Sequence, residues 1–381
     1  MKIVIAPQGF KGSLTGLEVA QSIEKGVLAA VPDATTDLVS VADGGDGTLQ
    51  SLVDSTGGEV ISSIVQDPLG REIEAEWGSL GDGETAVIEM ARSSGLALLA
   101  LDELDPLTAS TYGTGQLVKV ALDRGHSRFI IGIGGSATND GGAGMMEALG
   151  ARIMGGSGEP LAPGGAALAD IAKIDVSGFD QRFRDAHIEV ACDVNNPLCG
   201  PDGASAVFGP QKGATPEMVD QLDAALARYA EIIERDLAAD IRTYPGAGAA
   251  GGLGAGLMAF AQAELKAGVD IVLDAVDLDS HLEGADLVIT GEGQIDHSTI
   301  FNKSPVGVAA RAAKHGIPVI AIAGGLGNGY REVHDKGIAG MFTLVSGPMS
   351  LEDAIADSES LLAGAAEEIM RTLLVGAKLQ S

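Results

Sequence analysis

Residues 130–145 read IIGIGGSATNDGGAGM, an apolar strand-like run that leads into a loop rich in glycine and small polar residues. Glycine lets backbone N–H groups approach phosphate oxygens, and a helix start behind such a loop adds partial positive charge. Three similar acidic segments end at Thr48 (LVSVADGGDGT), Gly200 (IEVACDVNNPLCG) and Asp296 (DLVITGEGQID). Loops of this kind at several strand ends favour an α/β protein with phosphoryl chemistry, because their carboxylates can hold the metal that accompanies phosphates.

The order of patterns around these loops predicts a parallel sheet. Residues 3–6 form a short apolar run, Thr15 and Glu18 have the spacing of a helix capping box, and residues 39–42 form the next strand-like run. Residues 342–345 are expected to be the last strand. Strand–loop–helix repeats of this kind build parallel sheets that bind ligands at the carboxyl ends of their strands.

The pattern changes over residues 58–90, where short strand-like pieces separated by PLGR and GDGE turns predict a β-meander. Residues 286–290 then restart the N-terminal pattern. We therefore expect two α/β domains. Residues 1–58 and 287–381 would form a Rossmann/flavodoxin-like parallel-sheet domain, and residues 59–286 an inserted mixed α/β domain that carries the glycine-rich loops.

The composition restricts the partners of the chain. With 53 Asp and Glu against 24 Lys and Arg, the formal net charge is −29, so we expect no nucleic-acid partner. The N-terminal MKIVIAPQGF is too briefly apolar for a signal peptide, and the uncharged stretch 244–263 is too glycine-rich for a stable membrane span. We expect a cytoplasmic protein without membrane contact, and the sequence leaves its oligomeric state open.

The sequence contains no G-x-x-x-x-G-K-[ST] segment, no kinase H-R-D or D-F-G set and no G-x-S-x-G elbow, so phosphoryl transfer would need a different cradle. We expect the phosphate-binding backbone in the 130–145 loop and in PGAGAAGGLGAG, residues 245–256. For the second segment, the alternative is a close-packed entry into a helix. Lys212 lies in a third glycine-containing loop, QKGA. The residues predicted to bind phosphate or substrate are Gly134, Gly135, Ser136, Thr138, Asn139, Asp140, Gly141, Lys212, Gly251 and Gly252.

The predicted metal ligands are Asp43 and Asp46, which lie three residues apart in ADGGDGT. Mg²⁺ usually takes one or two carboxylates together with phosphate oxygens. The alternative interpretation is an Asp-Gly turn whose carboxylates are solvated.

Four residues are predicted to be catalytic: Lys11, Asp193, Glu292 and Asp296. Lys11, in FKGS, could neutralise a substrate carboxylate or a transferring phosphate, although a loop lysine is often only solvated. Asp193 follows an apolar run and is the favoured residue for orienting a substrate hydroxyl. Glu292 or Asp296, both in GEGQID, could take that role instead.

Taken together, MKIVIAP–FKGSL, VADGGDGT, IIGIGGSATNDGGAGM, VACDVNNPLCGPDGASAVFGPQKGA, PGAGAAGGLGAGLMAF and DLVITGEG–ID resemble the blocks of the bacterial type I glycerate kinase family, in the family's order and over nearly the whole chain. The resemblance implies ATP-dependent phosphorylation of glycerate, in the best-known members at the 2-hydroxyl. It also implies Mg²⁺ and two α/β domains with the active site in the cleft between them.

Three positions depart from the family pattern. Gln8 replaces the usual Asp of P-D-S, Tyr112 the Arg of S-R-G-T-G, and Gln294 the Arg of GEGRID. Arg is the preferred bidentate partner of a carboxylate, so its replacement bears on which acid is bound. Glycerate is the expected substrate, another small hydroxy or sugar acid is the first alternative, and a metabolite-binding regulator without catalysis is the second.

Overall fold

A computed structural model of the chain describes residues 1–45, 47–301 and 303–380. The chain divides into two compact units. The first unit comprises Met1–Asp43, Gln50–Gly57 and Val269–Ser381, and the second comprises Gly44–Leu49 and Gly58–Gly268. Residues 269–286 thus group with the first unit, whereas the sequence pattern assigns them to the insertion. The division into two domains stays a prediction.

The strands are β1 (Lys2–Pro7), β2 (Thr35–Leu38), β3 (Glu59–Gln66), β4 (Glu72–Ser79), β5 (Thr85–Glu89), β6 (Arg128–Gly132), β7 (Arg152–Gly155), β8 (Ile171–Asp175), β9 (His187–Ala191), β10 (Glu264–Lys266), β11 (Leu287–Ile295), β12 (Val319–Leu326) and β13 (Ile338–Thr343).

The α-helices are α1 (Gly16–Ala30), α2 (Thr48–Thr56), α3 (Ala91–Ser94), α4 (Tyr112–Asp123), α5 (Ala143–Ala148), α6 (Gln181–Asp185), α7 (Ala204–Phe208), α8 (Pro216–Leu237), α9 (Ala249–Ala261), α10 (Gly268–Ala275), α11 (Leu278–Leu282), α12 (Ser304–Lys314), α13 (Leu351–Ala356) and α14 (Ser358–Gln380). Short 3₁₀ helices include Pro210–Lys212 and His297–Ile300.

The first unit contains a parallel five-stranded sheet in the order β13-β12-β11-β1-β2. Numbered within this unit, the order is the flavodoxin-like 2-1-3-4-5, which places the reversal of strand order between β1 and β11. Pro7 is paired with Gly291 at this point, so the carboxyl ends of both strands are neighbours. The predicted capping box is confirmed, because Thr15 and Glu18 cap each other's backbone at the start of α1.

The two edge strands of this sheet lie elsewhere than predicted. The strand β2 is the polar Thr35–Leu38, whereas the buried residues 39–42 lie beyond its end. They still contact β1, since the N–H groups of Val39 and Val41 donate hydrogen bonds of 2.9 and 3.1 Å to the carbonyl oxygens of Ile5 and Pro7. Likewise, β13 ends at Thr343 instead of covering residues 342–345. An edge strand is solvated along one side, so an apolar run is a weak marker of its position.

The second unit contains a mixed six-stranded sheet in the order β10-β9-β6-β5-β4-β3. Its strands β5, β6, β9 and β10 are parallel, and β3–β4–β5 form the antiparallel meander that the sequence predicts. The core of this unit includes Trp77, Phe129 and Tyr229, which are fully buried. A parallel sheet in one unit and a mixed sheet in the other confirm the predicted α/β fold class. None of the described helices has the length and apolarity needed to cross a bilayer.

In the first unit, α1 and α14 cross at a glycine. A Cβ on Gly26 would lie 2.0 Å from the carbonyl oxygen of Ala363, whereas a Cβ on Gly364 would meet nothing within 4 Å. We predict that Gly26→Ala lowers the free energy of unfolding by about 1–3 kcal/mol through overpacking, despite the higher helix propensity of alanine. Gly364→Ala, the matched control, should raise it by about 0.5–1 kcal/mol. Urea unfolding measures both values, and a gain of stability in both variants would contradict this packing.

Candidate active site

The reversal point of the first sheet gathers several predicted site residues. Lys11 lies in the loop after β1, and its backbone nitrogen is 3.9 Å from the place that a Cβ on Gly293 would take. Glu292 lies on the adjoining part of β11, one residue beyond the pairing of Pro7 with Gly291. The loop after β1 and the last part of β11 are therefore neighbours, as expected for a ligand site at strand ends.

Glu292 is the most strongly perturbed group of this set. Its side chain is buried, Thr299 donates a hydrogen bond of 2.7 Å to Oε1, and Lys303 Nζ lies 3.8 Å from Oε2. Burial raises the pKa of Glu292 to about 7; the hydrogen bond from Thr299 and the charge of Lys303 oppose this effect, and the charges of Asp43 and Asp296 add to it. A carboxyl group with a pKa near neutrality is suited to accept a proton in catalysis.

The two carboxylates that raise the pKa of Glu292 are Asp43, after β2, and Asp296, after β11. Asp296 is itself engaged in the turn that follows it. Its Oδ1 accepts hydrogen bonds from the backbone and side chain of Ser298, and its Oδ2 accepts one of 3.0 Å from Gln294. These bonds from Ser298 lower the pKa of Asp296, so this side chain is an ionised cap of the turn His297–Ile300.

The acidic loop after β2 is held by close packing within the second unit. Gly44 has a φ of +90°, and a Cβ there would lie 2.8 Å from Gly268 Cα and 3.0 Å from Ala191 Cβ. Only glycine fits both the backbone conformation and this space. Asp43 precedes this glycine, whereas Asp46 lies outside the described residues.

The end of the same loop is held by Glu89, at the carboxyl end of β5. Its Oε1 accepts a hydrogen bond of 3.0 Å from the backbone N–H of Leu49, and its Oε2 accepts one of 3.0 Å from Arg92 Nε. A carboxylate at the first turn of α2 also complements the partial positive charge of that helix end.

Asp193 lies just after β9, as predicted, and is solvent-exposed. Its Oδ1 accepts a hydrogen bond of 3.0 Å from the backbone N–H of Gly268. One carboxylate oxygen therefore helps to hold the backbone at the strand ends of the second unit.

The glycine-rich loop after β6 divides into an exposed tip and a buried interior. Gly134 and Gly135 are exposed, while Ser136 is 6% exposed and residues 138–141 are buried. Of the ten residues predicted to bind phosphate or substrate, only Gly134 and Gly135 are exposed, so the ten do not share one environment.

Asp140 occupies the interior of this loop and is fully buried. Its oxygens accept hydrogen bonds from the backbone and side chain of Thr111 (2.8 and 2.9 Å) and from the backbone of Gly142 (3.1 Å) and Gly144 (3.3 Å). Burial raises the pKa of Asp140, and these four bonds oppose that effect. The carboxylate thus fixes the loop from within.

Lys212 is a buried lysine beneath the same loop. Its Nζ donates hydrogen bonds to Ser136 Oγ (2.8 Å) and to the carbonyl oxygen of Thr138 (2.5 Å). Burial lowers the pKa of Lys212 to about 7, opposed by the charge of Asp140. Because its hydrogen-bond partners belong to the loop, the protonation of Lys212 depends on the conformation of that loop.

The second glycine-rich loop packs against the first. The carbonyl oxygen of Gly251 accepts a hydrogen bond of 2.9 Å from the Gly141 N–H, and a Cβ on Gly251 would lie 2.1 Å from the carbonyl oxygen of Thr138. Gly252, which has a φ of +91°, is likewise buried. This packing accounts for both glycines as a close-packed helix entry; direct contact with a phosphate stays a prediction.

Several residues of these sites were not singled out from the sequence. Thr299 and Lys303 contact Glu292, and Glu89 holds the acidic loop. Glu147 is a further residue of this kind: it is partly buried, and burial together with the charge of Asp140 raises its pKa to about 7. The position of Glu89 at the end of an apolar strand is the one sequence signal that could have indicated it.

The three positions that depart from the family pattern lie in different settings. Gln8 N–H donates a hydrogen bond of 2.8 Å to the carbonyl oxygen of Gly291, and its Oε1 is buried without a partner among the described residues. Gln294 is exposed beside Asp296, and Tyr112 begins α4. Gln8 and Gln294 therefore belong to the strand ends of the first unit, and Tyr112 belongs to the second.

The strand-end loops of the two units identify an α/β enzyme, and comparison with known proteins specifies its family. A family model described as the glycerate kinase family matches residues 3–374. The chain is 52% identical over 373 residues to a glycerate kinase of Bacillus subtilis (strain 168), with 98% of each chain covered. It is 48% identical over 376 residues to a glycerate 2-kinase of Escherichia coli (strain K12), with 99% of each covered.

A solved structure agrees with these relatives. A crystal structure of a Salmonella typhimurium LT2 protein provisionally named glycerate kinase 2 matches with a TM-score of 0.93 and 49% sequence identity, covering 99% of both chains. The chain belongs to the glycerate kinase family, which confirms the resemblance seen in its motifs. It is a phosphotransferase with a hydroxyl acceptor.

We predict that Lys212→Met removes a pH dependence of stability. The folded protein holds Lys212 neutral above about pH 7, whereas the unfolded chain keeps it protonated up to about 10.5. Between these values the unfolded state binds more protons, so this group makes the free energy of unfolding rise by up to about 1.4 kcal/mol per pH unit.

Urea unfolding of both proteins at about pH 7.5 and about pH 9 measures this slope, since other titrations cancel in the difference. Parallel pH dependence in the wild type and in Lys212→Met would show that Lys212 is charged in the folded protein over this range.

Proposed function

We propose that the protein transfers the γ-phosphoryl group of ATP to the 2-hydroxyl of D-glycerate, giving 2-phosphoglycerate and ADP. The observation that carries this proposal is the buried carboxyl of Glu292 at the reversal point of the first sheet, with its pKa raised to about 7. Family membership supports glycerate as the acceptor, and the name of the Escherichia coli relative supports the 2-position.

We also propose that the protein is cytoplasmic. Cys192 and Cys199 are free thiols, and free thiols are typical of proteins in the reducing cytoplasm.

For the second unit, we assign the phosphates of ATP to the exposed tip of the loop after β6, at Gly134 and Gly135, beside the buried Ser136. Backbone N–H groups in a glycine-rich turn form an anion-binding concavity. Lys212 lies beneath Ser136 and would become more strongly protonated when an anion binds nearby. The buried Asp140 would keep the loop in its binding conformation.

For the first unit, we assign the proton acceptor to Glu292. In the transfer, the acceptor hydroxyl loses its proton to this carboxylate, and its oxygen forms a bond to the γ-phosphorus. The bond from phosphorus to the bridging oxygen breaks, and its electron pair leaves with ADP. Positioning and charge neutralisation supply most of the catalysis in such reactions.

The remaining predicted residues have supporting roles in this proposal. Lys11 and Lys303 lie on the strand-end loops of the first unit and supply cations for an anionic acid substrate. Asp193 remains the second candidate for orienting the hydroxyl, since it is exposed at a strand end and has one oxygen on Gly268. Asp296 would act through the turn that it caps.

Mg²⁺ would be held by Asp43 and Asp46, and when bound it would neutralise phosphate charge. Asp43 has the carboxylate chemistry that Mg²⁺ prefers. Among the residues that the structure describes, no three His, Cys, Asp or Glu side chains are grouped to hold a metal. One or two carboxylates completed by phosphate oxygens and water is the arrangement that fits this chain.

The proposed activity is tested by ADP release from MgATP over a panel of C3 to C6 hydroxy acids, with the product position read by ³¹P NMR. We expect strong turnover on D-glycerate and a 2-phosphate product. Preference for another acid would shift the assignment to the alternative substrate class, for which Gln8, Tyr112 and Gln294 are the relevant departures. Metabolite binding without any turnover would support the regulator instead.

We predict that Glu292→Gln lowers kcat by about 10²–10⁴-fold, because the amide cannot accept the proton. In the wild type, the raised pKa places the loss of activity on acidification near pH 7, since Glu292 must be ionised to act as a base. Glu359→Gln removes a carboxylate of the exposed ion pair with Lys25 and is the matched control. Full kcat in Glu292→Gln would exclude this residue as the base.

The metal assignment is tested at the glycines of the acidic loop. Gly44→Ala should raise the Mg²⁺ concentration needed for half-maximal activity, because a Cβ would push the loop away from Gly268 and Ala191. Gly47→Ala is the control, since Gly47 has a similar φ of +89° but an open space around a Cβ. An equal Mg²⁺ requirement in the two variants would contradict a role for the packed loop in metal binding.

A further inference from the structure

Thr299 joins Glu292 to the backbone of the turn that follows β11. Its side chain is fully buried in the 3₁₀ turn His297–Ile300. Its Oγ1 accepts a hydrogen bond of 3.1 Å from the backbone N–H of Asp296 and donates one of 2.7 Å to Glu292 Oε1.

The direction of both bonds follows from their donors. A backbone N–H can only donate, so Thr299 Oγ1 must be the acceptor from Asp296. A hydroxyl has a single proton, and the bond to Glu292 Oε1 uses it. The bond from Thr299 to Oε1 is strongest when Oε1 is unprotonated, because charge-assisted hydrogen bonds to a carboxylate are stronger than neutral ones.

The other carboxylate oxygen has a different setting. Lys303 Nζ lies 3.8 Å from Oε2, which is beyond hydrogen-bond distance. An ammonium group at this range stabilises negative charge on the carboxylate without occupying the oxygen. Oε2 is therefore the oxygen of Glu292 that can receive a proton while the bond from Thr299 stays intact.

We infer that Thr299 is a positioning residue, which fixes the orientation of the Glu292 carboxyl group and reserves Oε2 for the proton of the acceptor hydroxyl. This inference rests on the proposed function, in which Glu292 accepts that proton. The O–H bond of the acceptor breaks, the proton binds Oε2, and Oε1 keeps its hydrogen bond from Thr299 throughout the transfer.

The experiment compares Thr299→Val, Thr299→Ser and the wild type by steady-state kinetics with MgATP and D-glycerate. Valine keeps the shape of the side chain and removes the hydroxyl, whereas serine keeps the hydroxyl. We expect Thr299→Val to lower kcat by about 10- to 100-fold with KM within about twofold of the wild type, because a misdirected base slows the chemical step and leaves binding intact. Thr299→Ser should restore kcat to within about threefold.

A purely structural role is separated by a matched control. Thr290 is equally buried in the first unit, but its Oγ1 donates to the carbonyl oxygen of Ala6 over 2.7 Å. Thr290→Val therefore costs a buried hydrogen bond without touching Glu292. We expect it to lower the urea midpoint as Thr299→Val does, while its kcat stays at the wild-type value.

The outcomes distinguish this inference from the proposed function. Loss of kcat in Glu292→Gln with retention in Thr299→Val overturns the positioning role alone. Equal losses of kcat in Thr290→Val and Thr299→Val, or no recovery in Thr299→Ser, also overturn it. Full kcat in Glu292→Gln overturns the proposed base, and the inference with it.

Discussion

The parallel pairing of β1 with β11 is the constraint on which the candidate site of the first unit depends. Since Pro7 is paired with Gly291, the loop with Lys11 and the last part of β11 with Glu292 lie at the same edge of the sheet. The same edge receives Asp43 after β2, whose charge acts on Glu292. Burial of one carboxyl group among charged neighbours then moves its pKa toward neutrality, which is the property that proton transfer requires.

The second unit shows a different use of buried charge. Asp140 and Lys212 lie inside the loop after β6 and beneath it, and both are bonded to the loop itself. Because buried polar groups are costly unless satisfied, such bonds favour one loop conformation over its alternatives. The exposed Gly134 and Gly135 are thereby presented on a rigid support, and a rigid support is what a phosphate-binding turn needs.

The sequence was sufficient for the order of elements and the family, and insufficient for the environments of the site residues. The glycine content predicts a loop after β6, but it does not reveal that Asp140 is buried and Gly134 exposed. The edge strands β2 and β13 were misplaced because solvated edges lack a strong apolar pattern. The contact of Thr299 with Glu292 depends on how the turn after β11 folds back, which spacing alone does not reveal.

The most direct test of the central claim is the titration of Glu292 itself. Glutamate labelled with ¹³C at the carboxyl carbon can be followed by NMR, with the Glu292 signal assigned by its loss in Glu292→Gln. We expect a midpoint near pH 7, as burial among Asp43 and Asp296 dictates. A midpoint at the ordinary value of a solvated glutamate, about 4.3, would contradict the assignment of Glu292 as the proton acceptor.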